Sequence, residues 1–227
     1  FELPNRAGGT GLVLRRGNTV LASNEGWGSS PNATGIESLS ENLGAFALES
    51  ETGDSAILSD LLPGAYTVSL ENPVDEGGLA LLEVYDAGDE DLVRLVNLST
   101  RGPAGVEENA LIAGFVLNEN LPRRILVRAI GPGLKAFGVN GFMVNPKISL
   151  IGDDGELAAN DDWEIEGSAD LITRLGDRVG AFGLEPGSRD AALVRYLDPG
   201  RYTVKVEPSE GDPGVALVEI YVVPDID

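Results

Sequence analysis

Pro63-Gly64-Ala65-Tyr66-Thr67-Val68-Ser69-Leu70 and Pro199-Gly200-Arg201-Tyr202-Thr203-Val204-Lys205-Val206 are one stretch written twice. In each, a Pro-Gly turn delivers the chain into a tyrosine-led run with the period-2 alternation of a half-buried strand. The offset of 136 holds without a gap from residues 11–85 to residues 147–221, with 27 identities in the 74 pairs from Leu12 to Tyr85. Trp27 falls on Trp163, Gly44-Ala45-Phe46 on Gly180-Ala181-Phe182, and Tyr85 on Tyr221. A duplication of this length points to a modular array rather than a single-purpose enzyme.

Outward from that stretch the pattern is all-β. Thirty glycines and thirteen prolines punctuate short apolar runs, as in a sandwich or barrel. The first copy predicts strands near 11–16, 19–24, 54–60, 65–71 and 78–86. The second predicts them near 147–152, 156–160, 190–196, 201–207 and 214–223. Residues 91–146 add strands near 91–98, 109–118 and 123–130. Ile36–Leu43 and Ala169–Leu175 read as short helices. Gly152-Asp153-Asp154-Gly155 suits a tight hairpin, because these residues tolerate positive φ. The run Leu79-Ala80-Leu81-Leu82-Glu83-Val84 is nearly continuous in apolar residues and predicts a central strand buried on both faces. Tyr66 and Tyr202 are placed either to cap a corner through the hydroxyl or to sit as ordinary strand residues, and both roles are structural.

These elements predict two related β-sandwich units of Greek-key or jelly-roll type. The first spans residues 1–88 and is incomplete. The second spans 89–227 and includes the block 91–146, which occurs only once. A unit lacking strands keeps unpaired edge N–H and C=O groups, which invite strand addition from another chain. A donor and an acceptor at opposite ends would propagate head to tail.

Composition narrows the chemistry. The chain has no histidine and no cysteine, which removes Ser-His-Asp triads, thiolate nucleophiles, disulfides and nearly all transition-metal sites. The formal charge is −21. Residues 1–90 hold 15 acids against 3 bases and residues 147–227 hold 18 against 7, whereas residues 91–146 hold 4 against 6. Nucleic acid is excluded as a partner, since phosphate binding needs clustered cations. No apolar run reaches the length of a membrane span. A first residue of Phe1 fits a processed export product or an excised fragment.

Leu95-Val96-Asn97-Leu98-Ser99-Thr100-Arg101-Gly102, Ala113-Gly114-Phe115-Val116, Leu126-Val127-Arg128-Ala129-Ile130-Gly131-Pro132 and Asn160-Asp161-Asp162-Trp163 carry a resemblance. With Pro199–Val204 and Val218–Tyr221 they resemble a tandem repeat of roughly 130 residues found in very large secreted and surface proteins of environmental bacteria. The resemblance covers about residues 91–223. It implies an exported β-sandwich module without established catalytic residues. A more distant similarity is to the β-sandwich domains appended C-terminally to secreted peptidases.

Candidate sites are few. Asp153, Asp154, Asp161 and Asp162 could supply the hard oxygen ligands that calcium requires, or could serve only as turn and surface residues. In the first copy their equivalents are Gly17, Asn18, Glu25 and Gly26, so the frame does not need a metal. No other cofactor is called for. Trp27 and Trp163, each three residues after an asparagine, read either as glycan-stacking platforms or as core plugs. Pro63, Gly64, Pro199 and Gly200, with Tyr66 and Tyr202, complete the repeat signature. Arg123, Arg124 and Arg128 lie on one predicted strand, Arg124 and Arg128 on one face, and are candidates for inter-unit contact with the acidic copies. Asp86, Asp89, Glu90 and Asp91 read as a solvated connector, and Ile130-Gly131-Pro132-Gly133 as a turn rather than a phosphate loop.

The expectation is a non-catalytic, extracellular or cell-surface structural protein that assembles head to tail with itself or with neighbouring repeats. The alternative is a glycan- or surface-binding adhesion module.

Overall fold

The structure is a computed structural model that describes residues 7, 9–45, 47–48, 52–71, 78–88, 94–117 and 121–224. Two compact units divide the chain, Phe1–Arg94 and Leu95–Asp227. The fold is all-β, with three antiparallel sheets.

Unit 1 contains β1 (Gly11–Arg16), β2 (Thr19–Asn24), α1 (Ala33–Leu43) and β3 (Thr67–Glu71). Its sheet has the order β2-β1-β3. Gly17, at φ +57, closes the β1–β2 hairpin in a conformation that costs other residues strain. Gly44 ends α1 in the left-handed region at φ +69, the usual glycine stop after a helix.

Unit 2 contains β4 (Asn97–Ala104), β5 (Leu111–Leu117), β6 (Arg123–Ile130), β7 (Pro146–Gly152) and β8 (Gly155–Asn160). After these come α2 (Ala169–Val179), β9 (Ala191–Leu197), β10 (Gly200–Pro208) and β11 (Gly214–Val223). Two four-stranded sheets form, β5-β10-β7-β8 and β4-β11-β6-β9. Between them lies the main core, built from Ile125, Val127, Leu193, Val218 and Ile220 on one side and Ile148, Leu150, Val204 and Val206 on the other. The second sheet is covered on both faces. Successive side chains of a strand point to opposite sides, so Leu126, Ala192, Tyr221 and Val223 turn outward to meet Trp163 and the α2 residues Ile172 and Leu175. That double burial explains the nearly continuous apolar character of β6 and β11.

The copies agree in local detail. The register of β1 slips between Leu14 and Arg15, and that of β7 slips at the equivalent Leu150 and Ile151. Leu12 opposes Leu70 on β3, and Ile148 opposes Val206 on β10. The Asn24 side-chain oxygen accepts from Ala56 N–H at 3.1 Å, and that of Asn160 accepts from Ala192 N–H at 2.9 Å. The Tyr66 hydroxyl donates to Leu62 C=O at 2.5 Å, and the Tyr202 hydroxyl to Asp198 C=O at 2.8 Å.

The copies differ in two strands. The strands expected at 54–60 and 78–86 do not form: residues 53–66 carry no strand, and in residues 78–88 only Leu79 makes an isolated bridge. Their equivalents in unit 2 are β9 and β11. Both are held by β6, which lies between them, while β4 takes the far side of β11. Among the described residues, unit 1 shows no equivalent of β4, β5 or β6, and ahead of β1 the Ala7 N–H donates to Leu79 C=O and the Thr10 N–H to Gly53 C=O, both at 3.0 Å. Among the described residues, the two segments have strand sequences without a strand that joins them into a sheet. The expectation of Leu79–Val84 as a doubly buried central strand is corrected accordingly.

Candidate functional site

Arg128 is a buried cation of the second sheet. It projects from the helix-facing side of β6 and is only 2% exposed. Its Nη2 meets Glu219 Oε2 at 2.9 Å, its Nη1 donates to Phe182 C=O at 2.6 Å, and the guanidinium lies 4.4 Å from the Phe182 ring centre. The Tyr221 hydroxyl donates to the other Glu219 oxygen at 2.8 Å. Burial, and then the neighbouring Glu219 carboxylate, push the Tyr221 phenol well above its ordinary range. The expectation of Arg128 as an inter-unit contact is corrected: it pairs with an acid of the repeated half, but inside unit 2. Arg124 stacks on Tyr196 at 4.7 Å and donates to its hydroxyl, and Arg123 is half-buried at the start of β6.

The turn after β6 is held by a second buried acid. Asp190 Oδ1 accepts from Gly131 N–H at 2.8 Å and Gly133 N–H at 3.2 Å, and its Oδ2 accepts from the Ser188 hydroxyl at 2.9 Å. The glycine-rich turn thus has its amides engaged by a carboxylate of the repeated half. Two polar devices, Glu219 for the arginine and Asp190 for the turn, receive the leading block.

Unit 1 has an acid at each equivalent position, both exposed, without the arginine and glycine amides of unit 2 among the described residues. Glu83 is the equivalent of Glu219, and the Tyr85 hydroxyl donates to it at 3.0 Å, as Tyr221 does in unit 2. The Tyr85 phenol is pushed up to about 12, first by burial and then by the hydrogen bond and charge of Glu83. Among the described residues, Glu83 has no ion pair. Asp54 is the equivalent of Asp190, and Thr52, the equivalent of Ser188, donates its hydroxyl to it. No backbone N–H among the described residues reaches the Asp54 carboxylate. Apolar positions show the same vacancy: Leu82 is 40% exposed against 1% for Val218, Val84 41% against 5% for Ile220, and Tyr85 42% against 7% for Tyr221. A cavity of about 90 Å³ is lined by Trp27, Ile36, Ala45 and Leu48 among others. Their equivalents Trp163, Ile172, Ala181 and Leu184 belong to the apolar cluster that includes Leu126 of β6.

The other sequence candidates lie elsewhere. Trp27 and Trp163 are buried, at 7% and 4% exposure, so neither offers an open ring face for stacking a sugar. Pro63-Gly64 and Pro199-Gly200 lead into β3 and β10. The four aspartates that could hold calcium, or serve only as turn and surface residues, are not brought together. Asp153 and Asp154 sit in the β7–β8 turn, whereas Asp161 and Asp162 follow the far end of β8, across a six-residue strand that spans roughly 20 Å. Asp153 pairs with Arg201 at 3.6 Å, and Asp161 accepts from the Ser209 hydroxyl at 2.8 Å. Among the described residues, no three His, Cys, Asp or Glu side chains gather as metal ligands would. Of the acidic connector, Asp89, Glu90 and Asp91 lie outside the described residues.

The receivers Asp54 and Glu83 were legible only as identities with Asp190 and Glu219. Nothing local to either residue marks its role.

No helix among the described residues is long and apolar enough to cross a membrane. No protein-family model and no curated protein matches the chain. Among solved structures, the chain is similar to the pre-peptidase C-terminal domain of collagenase from Bacillus anthracis, at 9% identity and a TM-score of 0.34, over 55% of this chain and 89% of that one. At that identity and score the likeness supports nothing about activity.

Proposed function

We propose that this chain is a non-catalytic structural module of an extracellular or cell-surface assembly, joined to its neighbours by β-strand addition at unit 1. The observation that carries this reading is the pair of strand-length segments, 55–61 and 78–87, whose equivalents are paired strands in unit 2. Strand sequence that forms no ladder among the described residues, with exposed leucine, valine and tyrosine, is a template for another chain. The surplus of acids over bases keeps such a surface soluble until it is paired.

Negative-stain electron microscopy and light scattering on the native material test the reading. Filaments or a regular higher-order particle are expected. A monodisperse monomer in the native preparation would overturn it.

A further inference from the structure

β5 ends the sheet β5-β10-β7-β8, and among the described residues no backbone group outside β10 bonds to residues 111–117. Alternate residues of an edge strand point their N–H and C=O away from the sheet, where they can pair with another chain. The sequence Leu111-Ile112-Ala113-Gly114-Phe115-Val116-Leu117 holds no charge and no proline, and its register on β10 runs without a bulge. The other edges of unit 2 each carry a feature that deters pairing. Those features are Arg101 and Pro103 in β4, Arg195 in β9, and Glu156 with a register slip against β7 in β8.

The strand also matches itself. Two copies run antiparallel about a two-fold axis at Gly114 set Ile112 opposite Val116 of the copy, Ala113 opposite Phe115, and Leu111 opposite Leu117. Every such pair is apolar. Ile112 and Val116 stand on the outer face at 58% and 65% exposure, so this pairing gathers four aliphatic side chains around the axis. Gly114 puts no side chain there, which lets the two backbones approach. A foreign strand would need to be selected, and β5 has no charge with which to select one. In a chain of formal charge −21, β5 is a stretch along which two copies meet without setting acid against acid.

We infer that two copies of this chain pair through β5, joining their β5-β10-β7-β8 sheets into one continuous sheet across a two-fold axis. The inference uses unit 2 alone and stands apart from the assembly reading at unit 1, to which it adds a lateral contact. A seven-residue edge buries less than the roughly 1,200 Å² of a standard interface. The single contact is therefore weak, and the dimer forms at high protein concentration. Repeated along a filament, the same contact gains by avidity. It is apolar and backbone-mediated, so salt tightens it by screening the repulsion between two acidic chains.

The chain has no cysteine, so a single introduced thiol reports on this contact alone. Gly114→Cys sits on the axis, where opposed residues of antiparallel strands have Cα atoms about 4.5–5.5 Å apart, within disulfide range. A Cβ there meets nothing closer than Tyr202 C=O at 3.7 Å. On mild oxidation of the full chain, Gly114→Cys should form a linked dimer about 10-fold or more faster than Ile112→Cys or Val116→Cys. A mixture of those two should link to each other rather than to themselves. Sedimentation of the unaltered chain should show a dimer that grows with protein concentration and with salt. Val116→Lys, an exposed change that sets a charge beside Ile112 of the copy, should weaken that dimer by about 10-fold or more without moving thermal unfolding. A monomeric mass up to about 1 mM protein overturns the inference, as does equal cross-linking of all three thiols, the mark of random collision. A dimer that dissociates as salt rises, or that Val116→Lys leaves intact, also overturns it. Filaments that lose their lateral bundling with Val116→Lys would uphold both readings. Dimers without filaments would uphold this one and retire assembly at unit 1.

Discussion

Arg128 and Glu219 illustrate how one buried pair fixes the geometry of a sheet. Both are nearly sealed from solvent, and Phe182 and Tyr221 complete the shell around them. Removing one partner leaves the other charged and buried, which costs about 3–5 kcal/mol. Arg128→Met is therefore expected to destabilise unit 2 by about that amount in urea unfolding, and the double change Arg128→Met with Glu219→Met to recover most of it. Tyr221 gives a pH signature. Its folded phenol holds a proton more tightly than the unfolded one, owing first to burial and then to Glu219. The stability this contributes is fully present below about pH 10, the ordinary tyrosine value, and is lost as pH rises toward the folded value. In an alkaline titration followed by phenolate absorbance, Tyr221 should ionise only with unfolding. Tyr221→Phe should remove that last step.

At the scale of elements, the sequence was most informative where structure is local. Alternation in Tyr202–Val206 and the Asp-rich turn before Gly155 placed β10 and the β7–β8 hairpin to within a few residues, and the helices expected at Ile36–Leu43 and Ala169–Leu175 form as the longer α1 and α2. Sequence misled at 54–60 and 78–86, because a strand pattern states only a preference. Forming the strand requires a neighbour, and for β9 and β11 that neighbour is β6, which lies more than 60 residues away from each. The receiving site was illegible for the same reason: Asp54 and Glu83 acquire meaning only beside Asp190 and Glu219. The turn behind β6 should be the least tolerant element. A Cβ on Gly131 would stand 2.1 Å from Met143 C=O, so Gly131→Ala is expected to cost about 3 kcal/mol or more of unit 2 stability. Gly138→Ala meets no atom within 4 Å and suffers only from φ +73, a cost of about 1 kcal/mol. Parallel denaturant curves for the two variants would check the ranking.

Across the whole molecule the two units are unequal. Among the described residues, the buried apolar side chains of unit 1 are Leu14, Trp27 and Ile36, whereas unit 2 buries a two-sided core between and behind its sheets. Stability rises with the apolar surface removed from water. Calorimetry of the full chain should therefore show two transitions, the lower belonging to unit 1. A fragment spanning residues 95–227 should keep the upper transition within a few degrees. A single transition, lost on cutting the chain, would show that the units are coupled.

The position of β11 has a consequence for how the chain is made. The last strand of unit 2 in sequence is central in its sheet, pairing Tyr221 with Asn97 of β4 on one side and with Leu126 of β6 on the other. While the polypeptide is still emerging from the ribosome, β4 and β6 exist for more than 80 residues without the strand that joins them. Unit 2 can close only after Gly214–Val223 has been released, so its second sheet stays open until β11 emerges. A premature stop before Gly214 would thus deprive two earlier strands of their common neighbour.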